Sequence, residues 1–206
     1  MAVRMNNRTK KQGAETKKLL FESADKLFRQ CEFKDVTVET ITRMAGVTKG
    51  TFYVHFESKD ALYVQLFSTY VERLDTQYGA FLDTLRPEMS SSETVLAFVE
   101  EIIDLMITQI GYDSLKTVYQ LQLASTINME SVTGFERRIY PFFQEVLERG
   151  IQQGEFNTAL SLDALSRHFV MAIRGLTYEW CIRYPDFDFK QEASAHFRLL
   201  LEGIQA

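Results

Sequence analysis

Residues 36–62, VTVETITRMAGVTKGTFYVHFESKDAL, constrain the chain more than any other stretch. They read as two short helices joined by a tight turn and followed at once by a third. Thr37 is an N-cap candidate whose hydroxyl can accept from an orphan amide, and Glu39 then lies at the positive end of the helix dipole. Val38, Ile41 and Ala45 share the inner face of that helix. Gly46 can adopt the left-handed conformation that ends a helix and starts a sharp turn, with Val47 filling the angle between the helices. Thr48 caps the second helix, Lys49 to His55, and turns Phe52 and Phe56 inward at i, i+4. Ser58 caps the third, with Lys59 in its first turn, where an anion would meet free amides, the helix dipole and an ammonium together. The pattern is a helix-turn-helix.

What the second helix leaves outside decides its use. Lys49, Gly50, Thr51, Tyr53, Val54 and His55 occupy its remaining surface. Lys49 and Thr51 can donate to phosphates or base edges, and Gly50 removes a side chain where backbone would approach them. Tyr53 and His55 carry polar tips on apolar bodies, suited to phosphate oxygens at the lip of a major groove. Double-stranded DNA is the partner this surface suits, with Thr37 and Thr48 at its edge. A core αα-hairpin with a solvated outer face satisfies the same spacing.

Gly46-Val47-x-x-Gly50-x-x-Tyr53-x-x-Phe56-x-x-Lys59-x-x-Leu62 resembles the signature of the tetracycline-repressor (TetR) family of one-component bacterial regulators. With the helix before it, the match covers roughly a quarter of the chain. The resemblance implies an all-α fold, with an N-terminal three-helix DNA-binding domain joined to a helical ligand-binding and dimerisation domain, divided here as residues 1–60 and 61–206. It implies phosphate contacts for Tyr53, His55 and Lys59, and places Lys49, Gly50 and Thr51 at the groove. Two positions depart from the family pattern. Glu32 stands where a glycine commonly ends the first helix, and Thr42 where alanine is common. A non-glycine residue in the left-handed region costs about 1–2 kcal/mol, so the first helix is expected either to run on or to end without a left-handed cap.

Charge supports the division. Residues 1–60 hold 12 Lys and Arg against 8 Asp and Glu, whereas residues 61–206 hold 11 against 20. The basic end carries the motif. Met1 to Lys18, with Arg4, Arg8, Lys10, Lys11, Lys17 and Lys18 against Glu15 alone, reads as a disordered basic arm, either a solvated tail or a phosphate contact beside the motif. A first helix follows from about Thr16 to Cys31, with Leu20, Ala24, Leu27, Phe28 and Cys31 on one face. Cys31 and Cys181 lie too far from any partner at metal-ligand spacing and are expected as reduced thiols in a cytoplasmic protein. No apolar run reaches the length of a membrane span, and the N-terminus lacks the apolar core of a signal peptide.

Beyond Ser58 the chain is helical by pattern. Leu62, Leu66, Tyr70, Leu74, Tyr78 and Leu82 recur at i+4 in a helix ended by Arg86-Pro87. Ser90-Ser91-Ser92-Glu93 offers a capping box for a helix to about Gly111. Another helix spans about Asp113 to Ile127. Pro141 makes the next helical stretch kink or restart, and Gly154 stops it. Ser161 or Asp163 opens a helix whose centre, Phe169 to Ile173, is apolar on every side and must be covered on more than one face. The last helix, Lys190 to Ile204, is amphipathic. Phe169, Ile173, Phe197, Leu200, Leu201 and Ile204 are the expected homodimer interface, with burial inside one chain as the alternative.

No enzyme constellation emerges. His55, His168 and His196 make no metal-ligand spacing, there is no phosphate loop or nucleophile elbow, and Glu100, Glu101 and Asp104 read as a solvated face. No cofactor and no metal are expected. With 16 Phe, 9 Tyr and 1 Trp, the second domain suits a small hydrophobic effector. Phe67, Tyr70, Phe98, Met106, Tyr119, Phe143, Tyr178 and Trp180 are its candidate lining, and no basic cluster points to a phosphate-bearing ligand. The resulting expectation is a transcriptional repressor released from an inverted-repeat operator by that ligand. Its rivals are a helical binding protein whose helix-turn-helix only packs, and an all-α enzyme.

Overall fold

The computed structural model describes the backbone of residues 2–125 and 127–206 and, Thr126 aside, the side chains from Lys11 onward. Ten α-helices follow in order among the described residues: α1 (Ala2–Gln30), α2 (Val38–Ala45), α3 (Lys49–His55), α4 (Lys59–Leu82), α5 (Ser91–Leu105), α6 (Tyr112–Ala124), α7 (Glu130–Thr133), α8 (Ile139–Gln152), α9 (Leu162–Arg183) and α10 (Phe189–Glu202). A 3₁₀ turn, Phe33–Asp35, precedes α2, and a π-helical turn, Met106–Ile110, follows α5. The chain forms two compact units. One runs to Thr69 and includes Ser125 and Ile127; the other holds the rest from Tyr70.

The first unit is built from α1, α2, α3 and the start of α4. Its core joins Leu20 and Ala24 of α1, Val36, Ile41 of α2, Phe52 of α3, Phe56 and Leu62 of α4, with Val38, Ala45 and Val47 packed against it. Phe21 meets Phe56 edge to face at 5.1 Å. The inward set anticipated from spacing is therefore the core. Where a disordered arm was expected, α1 is helical from Ala2; the segment has no proline and is rich in Lys and Arg, both good helix formers. The side chains of Arg4, Arg8 and Lys10 lie outside the described set. After α1, Glu32 has φ −61° and ψ 144°, extended backbone, so the turn is made without a left-handed residue. Thr42 is buried in the alanine-like position because its hydroxyl donates to Glu39 O at 3.1 Å.

In the second unit α5 packs on α8 and α10, α8 on α9, and α9 on α6 and α10. A run of rings ties them together: Phe98 to Phe143 at 5.0 Å, Phe143 to Phe169 at 5.6 Å, and Phe169 to Phe197 at 5.6 Å. Phe169, Ile173, Phe197 and Leu201 are all buried inside the single chain. Burial inside one chain, the alternative reading, accounts for these four, while Leu200 and Ile204 of the same expected set are half-buried. Pro141 is the third residue of α8, in the first turn, where the missing N–H has no intrahelical partner to lose; the helix restarts and does not kink.

Long-range polar contacts finish the unit. Ser90 caps α5 with a full capping box, and the next two amides, Ser91 N and Ser92 N, donate to Glu155 at 2.7 and 2.8 Å. Burial would raise the Glu155 pKa, but the hydrogen bonds from Ser92 and Ser91 outweigh it and hold it below the usual value. Arg137 donates to Asp75 at 2.7 Å in an ion pair whose side chains keep only 17% and 8% of their surface. Cys31 is exposed and Cys181 buried, both free; burial pushes the Cys181 thiol up to about 11, which makes it inert at neutral pH. Among the described residues no helix is long and apolar enough to cross a membrane, and no cluster of metal-ligating side chains forms.

Candidate nucleic-acid interface

The turn between α2 and α3 is built from two caps and one glycine. Thr37 closes a reciprocal box, its Oγ1 accepting from Thr40 N at 3.1 Å while Thr40 Oγ1 accepts from Thr37 N at 3.0 Å. Gly46 sits at φ 67°, where its amide donates to Arg43 O and Thr42 O. Thr48 then accepts from Thr51 N at 3.1 Å, and the Thr48 and Thr51 hydroxyls bond to each other at 2.9 Å, leaving the pair one proton to offer outward.

With Phe52 and Phe56 fixed inside, α3 presents Lys49, Gly50, Tyr53 and Val54 to solvent and leaves Thr51 and His55 half-buried. Tyr53 keeps 53% of its surface and Val54 79%. These are large apolar bodies that a free-standing helix has no reason to expose, and a groove lined by phosphates and thymine methyls gives them one. Gly50 has helical backbone, and a Cβ there would meet nothing closer than Thr48 Oγ1 at 3.7 Å, an ordinary contact. Its missing side chain serves no need of the fold.

Basic groups flank this face. Lys11 and Lys18 are exposed on α1, and Lys17 Nζ lies 5.5 Å from the centres of both the Phe21 and Phe56 rings. A Cβ on Gly13 of α1 would stand 4.0 Å from His55 Cε1, so α1 passes the C-terminal end of α3. Lys59, for which the resemblance implies a phosphate contact, meets backbone carbonyls and a ring in the free chain. Its ammonium donates to Phe33 O at 2.7 Å and Val36 O at 2.8 Å and lies 4.0 Å over the Phe33 ring. Thr37 and Thr48 are exposed but their hydroxyls are engaged in capping.

None of the residues expected to line an effector cavity borders the cleft described below. Phe98 and Phe143 belong to the aromatic ladder, Trp180 stacks on Phe189 at 5.0 Å, and Tyr119 donates its hydroxyl to Arg174 O at 2.8 Å. Tyr178 is exposed, Met106 opens the π-helical turn, Tyr70 is half-buried on α4, and Phe67 is buried in the first unit. A cleft of about 460 Å³ lies elsewhere in the second unit, walled by α4, the segment to Pro87 and α8. Its apolar wall is Leu82, Leu85, Pro87, Phe142 and Val146, and it gathers Arg86, Arg138 and Arg149 with Asp83, Glu145 and Glu148. The sequence showed no basic cluster because these arginines are spread over 63 positions and meet only in the fold. Phe142 lies against α4 because Gly79 faces it: a Cβ there would stand 3.1 Å from Phe142 Cζ.

Sequence reasoning also missed the outer face of the last two helices. Met171, Tyr178 and Ile182 of α9 and Leu199 of α10 are exposed, Ile182 at 55% and Leu199 at 65%. The spacing of 171, 178 and 182 was a visible stripe, but it competed with the equally apolar stripe of 169, 173 and 180.

Residues 20–66 match the profile described as "Bacterial regulatory proteins, tetR family". Similarity to curated proteins extends along nearly the whole chain. The HTH-type transcriptional regulator YhgD of Bacillus subtilis is 24% identical over 92% of this chain and 97% of its own. The HTH-type transcriptional repressor DhaR of a Mycobacterium species is 27% identical over 90% and 92%. Among solved structures, FadR of Thermus thermophilus, a TetR-family repressor in complex with lauroyl-CoA, superposes with a TM-score of 0.70 at 21% identity, covering 92% of this chain and 95% of that one. The helix-turn-helix geometry and these matches agree: residues 20–66 form a DNA-binding domain of the tetR family of bacterial regulatory proteins, and the likeness to such regulators runs along nearly the whole chain.

Proposed function

We propose that the chain is a cytoplasmic, homodimeric repressor that binds an inverted-repeat operator through α3 and is released from it by a small hydrophobic effector. The observation that carries the DNA-binding half is the outward face of α3, where Tyr53 and Val54 stand exposed beside a Gly50 that the fold does not require. The dimer is supported by the exposed stripe of Met171, Tyr178, Ile182 and Leu199, whose burial a two-fold partner would provide. A two-fold axis sets two α3 helices about 34–36 Å apart, or a near multiple, and so requires an inverted repeat.

The effector side is supported by the cleft. Its volume of about 460 Å³ is within the roughly 300–1,000 Å³ of small-molecule sites, and apolar Leu82, Phe142 and Val146 lie beside Arg86 and Arg138. An apolar body with an anionic end fits that lining, and the relative solved with lauroyl-CoA holds a ligand of that kind. Control through α4 requires that such a ligand prefer the dimer whose α3 spacing no longer matches the groove. The coupling is reciprocal and typically about 1–3 kcal/mol, 5- to 150-fold in operator affinity. The test is selection of bound duplexes from a random pool, followed by titration of fatty acids and their CoA thioesters against the selected complex. An inverted repeat is the expected product; recovery of no preferred sequence would replace this function with a helical binding protein whose helix-turn-helix only packs.

A further inference from the structure

We propose that Lys59 is a positioning residue for DNA recognition, resting on the DNA-binding function above: it closes the base of the helix-turn-helix and is not a phosphate ligand. An ammonium has three N–H donors, and two of Lys59's are committed to Phe33 O at 2.7 Å and Val36 O at 2.8 Å. The charge also lies 4.0 Å over the Phe33 ring. Charge-assisted bonds of this length are stronger than neutral ones. With those two bonds kept, a single N–H remains for any other partner.

The position of the two acceptors gives the clamp its purpose. Val36 immediately precedes Thr37, the N-cap of α2, and Lys59 is the first residue of α4. The chain between the two bonded positions is α2, the turn, α3 and the connection to Ser58, which is the whole reading head. One side chain thus ties its entry to its exit. The surroundings hold the clamp in place: Phe33 stacks on Phe28 at 5.5 Å and meets Tyr63 edge-on at 4.9 Å, and Tyr63 stands one turn along α4 from Lys59. Burial lowers the Lys59 pKa against the opposing charges of Asp60 and Asp35, in keeping with an ammonium turned inward. Without the clamp the core still fixes Phe52 and Phe56, but the ends of the head are free to shift by the small distances that base contacts do not tolerate.

Two measurements test this. Lys59→Met, folded at the assay temperature by circular dichroism, is titrated with the selected operator and with a scrambled duplex of equal length over a salt series. Operator affinity should fall about tenfold, scrambled-duplex affinity should hold, and the slope of log K against log salt should stay that of the parent. A slope shallower by about 0.9, with equal loss on both duplexes, is the signature of a phosphate contact and overturns the proposal. A folded variant that binds operator like the parent overturns it too, since the clamp would then serve stability alone. The second measurement uses the unaltered chain: amine acylation mapped by peptide mass, with and without operator. Lys59 should react slowly in both states, whereas Lys49 should react fast when free and be protected by DNA. DNA-dependent protection of Lys59 refutes the clamp, while fast, unprotected Lys49 refutes the DNA-binding function instead.

Discussion

Gly50→Ala separates what the fold needs from what its partner needs. The backbone at Gly50 is ordinary right-handed helix, and the new methyl would meet only Thr48 Oγ1 at 3.7 Å. On the free protein the change should be neutral to stabilising, by up to about 1 kcal/mol, because glycine is the poorest helix former after proline and alanine the best. In a chain of this size that is a rise in Tm of roughly 2–4 °C per kcal/mol. Against DNA the same methyl enters the space through which the first turn of α3 would approach a phosphate or base edge. Forcing an extra carbon into a packed contact costs about 1–3 kcal/mol, which is a loss of about 5- to 150-fold in operator affinity. The assay is fluorescence anisotropy of labelled operator at fixed salt, run beside thermal melts of the same samples. A variant that melts at or above the parent and binds operator unchanged would show that α3 does not approach DNA at Gly50. Gly46→Ala is the opposite control: at φ 67° it should lose about 1–2 kcal/mol of stability and lose binding only as far as it unfolds.

Four further outcomes follow from the same geometry. Lys49→Ala, exposed at the start of α3, should flatten the salt slope of operator binding by about 0.9 if it neutralises one phosphate, read from anisotropy at several salt concentrations. Met171→Glu with Ile182→Glu should sediment as a folded monomer that binds operator poorly, while Phe197→Glu, aimed into the aromatic ladder, should fail to fold by circular dichroism. Glu155→Gln should lose about 0.5–2 kcal/mol at pH 7 as the α5 amides lose their carboxylate. Because the folded-state pKa of Glu155 is lowered, its contribution is present above the unfolded value near 4.5 and fades as pH falls through the folded one, so parent and variant should converge in acid urea melts. Asp75→Ala strands the buried Arg137 charge, which also has a buried Nε without a partner, and should lower stability by about 3–5 kcal/mol in urea unfolding.

Local rules were legible in the sequence. The Thr37, Thr48 and Ser90 caps, the αL glycine at 46 and the inward pair Phe52 and Phe56 each depend on partners within four residues, and all stand where the spacing put them. That Glu32 is not left-handed was legible from the cost a non-glycine residue would bear there. Contacts closed over long stretches of chain were not. Glu155 caps amides 63 and 64 positions away, Arg137 pairs with Asp75 across 62, and Lys59 reaches back 23 and 26. The family resemblance implied a phosphate contact for Lys59 and could not show the two carbonyls it meets in the free chain, because a signature fixes position and leaves open where a four-carbon stem swings.

The last two helices show a different limit. The centre of α9 is apolar all round, and that much requires cover on two sides. Periodicity cannot say which side is covered by the chain itself. Phe169, Ile173 and Trp180 form one stripe and Met171, Tyr178 and Ile182 another, about two residues out of phase, which is roughly 200° around a helix of 3.6 residues per turn. From sequence the two are interchangeable. Only the packing of α8 and α10 against the first stripe decides it, burying Phe169 and Ile173. What remains is then fixed by subtraction: apolar groups that the fold leaves exposed, in a row along one helix with Leu199 of α10 also exposed. A single chain gives no reason to leave Ile182 and Leu199 in water, and a self-complementary partner removes the cost for both copies at once. A dimer formed through this face would use apolar groups outside the stripe that the sequence pattern selected, and charge introduced at Ile182 should part it without disturbing the ladder beneath.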